Sequence, residues 1–225
     1  MKASRTILLI SLFAAAFAFV ESSVVVYLRL LYYPEGFAFP LKPALMSQMV
    51  VELSREFATI VMLVTVGMIA GRTRWQRFSY FIIAFGVWDI FYYVWLKVIL
   101  NWPVSMFDWD ILFLIPVPWI GPVIAPVLVS VVMIAGGWLI VVKEETSGKF
   151  FATRSAIILS VAGSVIVIAS FLLDPDASLR FQDPKPYRYE LLVASMLCYA
   201  VAFVLTFRSP KQEKKPAAGT RQSGD

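Results

Sequence analysis

The stretch VELSREFATIVMLVTVGMIA, residues 51–70, decides the fold. From Phe57 to Ala70 it is uncharged and almost wholly apolar, the composition of a helix that lies in lipid. Yet its first turns carry Glu52, Arg55 and Glu56. A charge at the centre of a bilayer costs at least about 2.5–3.5 kcal/mol, so three of them at the head of a span need partners.

The rest of the chain has the same character. Of its 225 residues 60% are hydrophobic and only 16% are charged, with a mean hydropathy of +0.76. A soluble domain carries about 25% charged residues. The apolar residues fall in blocks rather than amphipathic stripes, which predicts an all-α, polytopic integral membrane protein: a six-helix transmembrane bundle. The spans are expected at 7–31, 45–70, 78–100, 119–142, 155–173 and 189–207. Residues 1–208 form the six-span domain, and the polar, Lys-, Pro- and Gly-rich 209–225 reads as a disordered cytoplasmic tail.

Short cytoplasmic loops are enriched in Lys and Arg. Lys2 and Arg5, the loop with Arg72, Arg74 and Arg77, the loop with Lys143, Lys149 and Arg154, and the tail with Arg208, Lys211, Lys214, Lys215 and Arg221 fall on one side of a six-span chain. The opposite loops hold Lys42, Arg180, Lys185 and Arg188 among Glu35, Asp108, Asp110, Asp174, Asp176 and Asp183. Both termini are therefore placed in the cytoplasm. The start, MKASRTILLISLFAAAFA, also has the make-up of a signal peptide with a cleavage site near residue 18. Apolar sequence resumes after Glu21, Ser22 and Ser23, so an uncleaved first helix is the preferred reading.

The fourth region, LFLIPVPWIGPVIAPVLVS, contains Pro116, Pro118, Pro122 and Pro126. Each proline removes a backbone donor and clashes with the preceding turn. A proline-broken or re-entrant element near 116–126 is one reading; the other is an interfacial loop leading to a helix that starts near Pro122 or Pro126.

Composition also limits the chemistry. The net charge of +5 lies in loops and tail rather than in a patch, which speaks against nucleic acid. The chain has no His and a single cysteine, Cys198, so a His-ligated haem, a Cys-rich metal site and an intrachain disulfide are excluded. There is no Walker motif, GxSxG elbow or zinc-binding His pair. No cofactor or metal is expected. The phrases VESSVVVYLRLLYYP and DWDILFLIPVPWIGP resemble bacterial membrane-protein sequence without implying a family, and the membrane is read as the cytoplasmic (inner) one.

At 100° per residue, Glu52, Arg55 and Glu56 fall within an arc of roughly 100°. Asp89, Tyr92, Tyr93 and Lys97 share a face of the third span, and the first span adds Glu21 and Arg29. With a rise of about 1.5 Å per residue, Glu21, Arg55, Glu56 and Asp89 all come roughly 15–18 Å from the outer helix ends, with Glu52 shallower and Arg29 and Lys97 near the surface. One buried polar cluster in the outer half of the bundle is expected, with more carboxylates than cations. Such a surplus needs a proton on at least one acid, as a proton carrier or general acid requires. Asp108 and Asp110 are expected to be a solvated acidic loop. No catalytic residue can be named.

The main expectation is a small-solute or proton-coupled carrier. The alternatives are a membrane-embedded enzyme or binder for a lipid-like substrate, working by carboxylate acid/base chemistry, and an accessory subunit of a membrane complex. Partners in these readings are the lipid bilayer, a small-molecule or lipid ligand, and a second copy of the chain or a membrane-complex subunit. A purely structural network tying helices together is the plain alternative to a site.

Overall fold

A computed structural model describes residues 3–43, 45–174, 177 and 179–208, without the side chains of Phe207 and Arg208. Lys2, Asp176, the Arg208 side chain and the tail at 209–225 lie outside the described residues. Among the described residues six helices are long and apolar enough to cross a membrane. They are α1 (Ala3–Tyr32), α2 (Met46–Ala70), α3 (Arg74–Leu100), α4 (Ile124–Ser147), α5 (Arg154–Leu172) and α6 (Tyr189–Arg208). At about 1.5 Å per residue even α5, of 19 residues, runs close to the roughly 30 Å of a bilayer core. Their outward faces expose Leu8, Phe13, Val61, Ile69, Ile158, Val165 and Leu197.

Helix ends follow local chemistry. The Thr73 and Thr153 hydroxyls accept the backbone N–H groups of Gln76 and Ala156 at the starts of α3 and α5. Asn101 (φ 53) and Gly148 (φ 73) take the left-handed conformation that ends α3 and α4. Lys143, Glu144 and Glu145 do not end α4, which runs past them to Ser147.

The chain is mostly rather than wholly helical. Where the sequence predicted the start of a span at 119, the proline-rich segment forms an antiparallel hairpin of β1 (Trp109–Phe113) and β2 (Trp119–Pro122), with Asp110 opposite Gly121 and a bulge between Ile111 and Phe113. Pro116 and Pro118 sit in its connection, Pro122 closes β2, and Pro126 lies in the first turn of α4, where its missing N–H costs nothing. The fourth helix therefore begins at Ile124, five residues after the expected 119 but between Pro122 and Pro126, as in the reading of a loop leading into the helix, and no re-entrant element is seen among the described residues.

The central helix is α3, which packs against α1, α2 and α4, while α5 and α6 form a second pair joined to the rest through α4 and β2. Small residues permit the close approaches. A Cβ on Gly67 would lie 2.7 Å from the Phe81 backbone, and one on Gly137 would lie 2.8 Å from the Ser79 carbonyl oxygen. Gly163 faces Ser195 and Tyr199 across the α5–α6 seam, whereas nothing approaches Gly136. Below the hairpin end, Ala14 and Ala18 of α1, Leu63 of α2 and Ile83 and Ala84 of α3 form a fully packed core. Above it α1 and α2 barely touch, and the space between them, α3 and the hairpin is open.

Candidate functional site

The helix periodicity that builds the core also builds the site. On α1 the buried stripe Ala14, Ala18, Glu21, Ser22, Val26 and Arg29 continues one face upward, so Glu21 and Arg29 follow the alanines toward α3. On α2 the buried stripe is Glu56, Thr59, Leu63 and Gly67. Each helix thus changes from apolar packing to polar groups about three turns from its hairpin end.

There Arg55 pairs with Glu21 of α1, and its Nη2 and Nε donate to Glu52 Oε2 at 2.6 and 3.0 Å. The Thr59 hydroxyl donates to Glu21 Oε2 at 3.1 Å. Glu56 Oε2 accepts the backbone N–H of Leu114, just beyond β1, at 2.8 Å. Asp89 Oδ2 accepts the Ser130 hydroxyl of α4 at 2.8 Å. Farther up, Arg29 Nη2 donates to Asp110 Oδ1 at 2.8 Å, and its guanidinium stacks 3.7 Å from the ring of Trp102 and 4.3 Å from that of Phe37.

All of these groups except Ser130 and Trp102 line one cavity of about 490 Å³. Its walls are mostly apolar, with Leu28 of α1, Met49 and Leu53 of α2 and Leu112, Phe113 and Val117 of the hairpin. Five carboxylates, Glu21, Glu52, Glu56, Asp89 and Asp110, face two guanidiniums, Arg29 and Arg55, with the exposed Lys42 also lining. Tyr92 and Tyr93 line it as well. No ion pair among the described residues reaches Glu56 or Asp89, although the charge of Arg55, its neighbour on α2, acts on Glu56. No group of three or more acidic or cysteine side chains among the described residues is arranged to hold a metal ion.

Two expectations need correction. Lys97 does not join the cluster: it is exposed, and its ammonium donates to the carbonyls of Asn101 at 3.3 Å and Pro103 at 2.9 Å, capping the end of α3. Asp108 and Asp110 do not form one solvated acidic loop: Asp108 is half-buried and Asp110 is buried. Asp108 accepts the backbone N–H groups of Val104 and Ser105 and closes its own turn. Asp110 is 2% exposed, and it is the partner that keeps Arg29 inside the protein. Burial pushes the Asp110 carboxyl up to about 6, with Arg29 and the Ile111 N–H limiting the rise.

Sequence reading missed Thr59, Trp88 and Ser130, which line the cavity or support its acids, and the hairpin that covers it. A pointer to Thr59 was present: it stands one turn after Glu56 on the same face. Pairing between 109–113 and 119–122 had no such pointer, because Pro116 and Pro118 mark a break without saying what surrounds it.

In comparison with known proteins, no family model matches the chain, and no curated protein or solved structure is significantly similar to it.

Proposed function

We propose that the chain is a multi-pass protein of the cytoplasmic (inner) membrane, with both termini cytoplasmic, whose outer-side cavity binds an amphipathic, lipid-like small molecule. The carrying observation is the combination, in one cavity of about 490 Å³, of mostly apolar walls and a charged floor. Ligand sites are concave and apolar with a few placed polar groups. A solute handled as a hydrated ion would have no use for Leu28, Met49, Leu53 and Phe113. The packed core of Ala14, Ala18, Leu63 and Ile83 closes the cavity toward the other end, which favours a binder or enzyme over an open channel. The hairpin acts as a roof whose edge dips toward Glu56, ten residues into α2.

A proton-coupled carrier is the second reading, favoured by the five carboxylates in a cavity with fewer cations. In it Glu56 and Asp89 accept protons and Arg55 serves as internal counter-ion. The test is native mass spectrometry of protein extracted gently from its own membrane, beside a Glu56→Gln variant. A discrete lipid-like molecule retained by the parent and lost in the folded variant is expected. A co-purifying protein, or no ligand in either sample, would overturn the binding reading in favour of an accessory subunit. Flux driven by a pH gradient in liposomes of the purified protein alone would favour the carrier.

A further inference from the structure

We propose that the head group selected by this cavity is cationic, an amine or quaternary ammonium on an apolar chain, held between Glu56 of α2 and Asp89 of α3. The proposal rests on the amphiphile-binding reading above and adds the sign of the charge.

Both guanidiniums of the cavity have acid partners, with Arg29 Nη1 and the Trp88 indole N–H buried without a hydrogen bond. Arg55 is taken by Glu21 and Glu52, and Arg29 by Asp110 and two aromatic rings. Glu56 and Asp89 are not matched in this way. Glu56 is only 7% exposed; its Oε2 takes the Leu114 N–H, and no donor among the described residues reaches its Oε1. Asp89 takes one hydrogen bond, from Ser130 to Oδ2, and no described donor reaches Oδ1. A carboxylate with an open oxygen inside a mostly apolar cavity is costly unless a donor, a cation or a proton completes it.

The surroundings fit an ammonium. Trp88 and Tyr92 line the same cavity, and aromatic faces attract cations there more strongly than at a wet surface. An anionic head would meet a floor already richer in carboxylates than in guanidiniums, and a neutral head would leave Glu56 and Asp89 to be neutralised by protons, which a cation can replace. A tail lying against Leu28 and Leu53, where α1 and α2 stand apart, would use the apolar wall that a free small amine leaves empty.

The test compares dodecylamine, dodecanol, dodecanoate and propylamine by tryptophan-fluorescence titration of the full chain in a neutral detergent. Dodecylamine is expected to bind at least tenfold more tightly than the other three. Glu56→Gln and Asp89→Asn should each weaken dodecylamine roughly ten- to hundredfold, the effect of one charge-assisted hydrogen bond, and leave dodecanol unchanged. Lys97→Met, outside the cavity, should bind like the parent. Dodecanol matching dodecylamine in the parent overturns the cationic head while leaving the amphiphile reading intact, a result that needs no variant to fold. Failure of all three chain compounds overturns the amphiphile reading itself. Propylamine matching dodecylamine overturns the tail.

Discussion

Replacing Arg55 by Met keeps most of the side chain's apolar stem and removes its charge. Arg55 is 20% exposed, and its partners Glu21 and Glu52 are 8% and 15% exposed, so the arrangement is largely dry. Removing one partner from a buried ion pair costs about 3–5 kcal/mol, because the remaining charge is left without compensation. The partial exposure of Arg55 reduces this to about 2–4 kcal/mol. For a chain of this length each kcal/mol lowers Tm by roughly 2–4 °C, so a drop of roughly 5–15 °C is expected. Thermal unfolding followed by circular dichroism in a neutral detergent measures it. The double variant Arg55→Met with Glu21→Gln supplies the decisive comparison. The introduced amide would still accept the Thr59 hydroxyl but carry no charge, so at least half of the lost stability should return. An Arg55→Met protein within about 0.5 kcal/mol of the parent would refute the reasoning. So would a double variant whose loss equals the sum of the two single losses, since the charges would then not be coupled.

Three further outcomes are expected. The Asp110 carboxyl titrates near 6 in the folded chain against its ordinary value of 3.8. The folded state therefore holds a proton that the unfolded state has released between about pH 4 and 6, and stability falls by about 3 kcal/mol as pH rises through that window. In Asp110→Asn this contribution to the slope should vanish, and an unchanged slope in parallel denaturation curves would refute the assignment. Gly137→Val should separate α3 from α4 and cost about 1–3 kcal/mol, since even a Cβ would lie 2.7–2.8 Å from Ile83 and the Ser79 carbonyl. Gly136→Val, facing open space, should cost less than about 1 kcal/mol in the same melts. Trp102→Ala should loosen Arg29 by removing the ring beneath its guanidinium, seen as faster hydrogen exchange at Asp110 and Ile111 than in the parent.

What the sequence determined by itself was whatever depends on local composition and period. Long apolar blocks place five of the helices within a few residues, because a span must satisfy its own backbone and only a helix does so segment by segment. The 3.6-residue period also predicted one face for Glu52, Arg55 and Glu56 and another for Asp89, Tyr92 and Tyr93. Tertiary structure alone decided which charges meet. Asp110 looked solvated because it stands with Asp108 in a loop between spans, but strand pairing with Gly121 carries it to Arg29. Lys97 looked like a member of the cluster because it shares a face with Asp89, but the end of α3 offered two carbonyls within its reach. The cavity arises because α1 and α2 each pack on α3 rather than on one another, and the hairpin then roofs the gap. That choice depends on fit between segments far apart in the chain, such as Trp95 of α3 donating to the Ala15 carbonyl of α1, which no local period records.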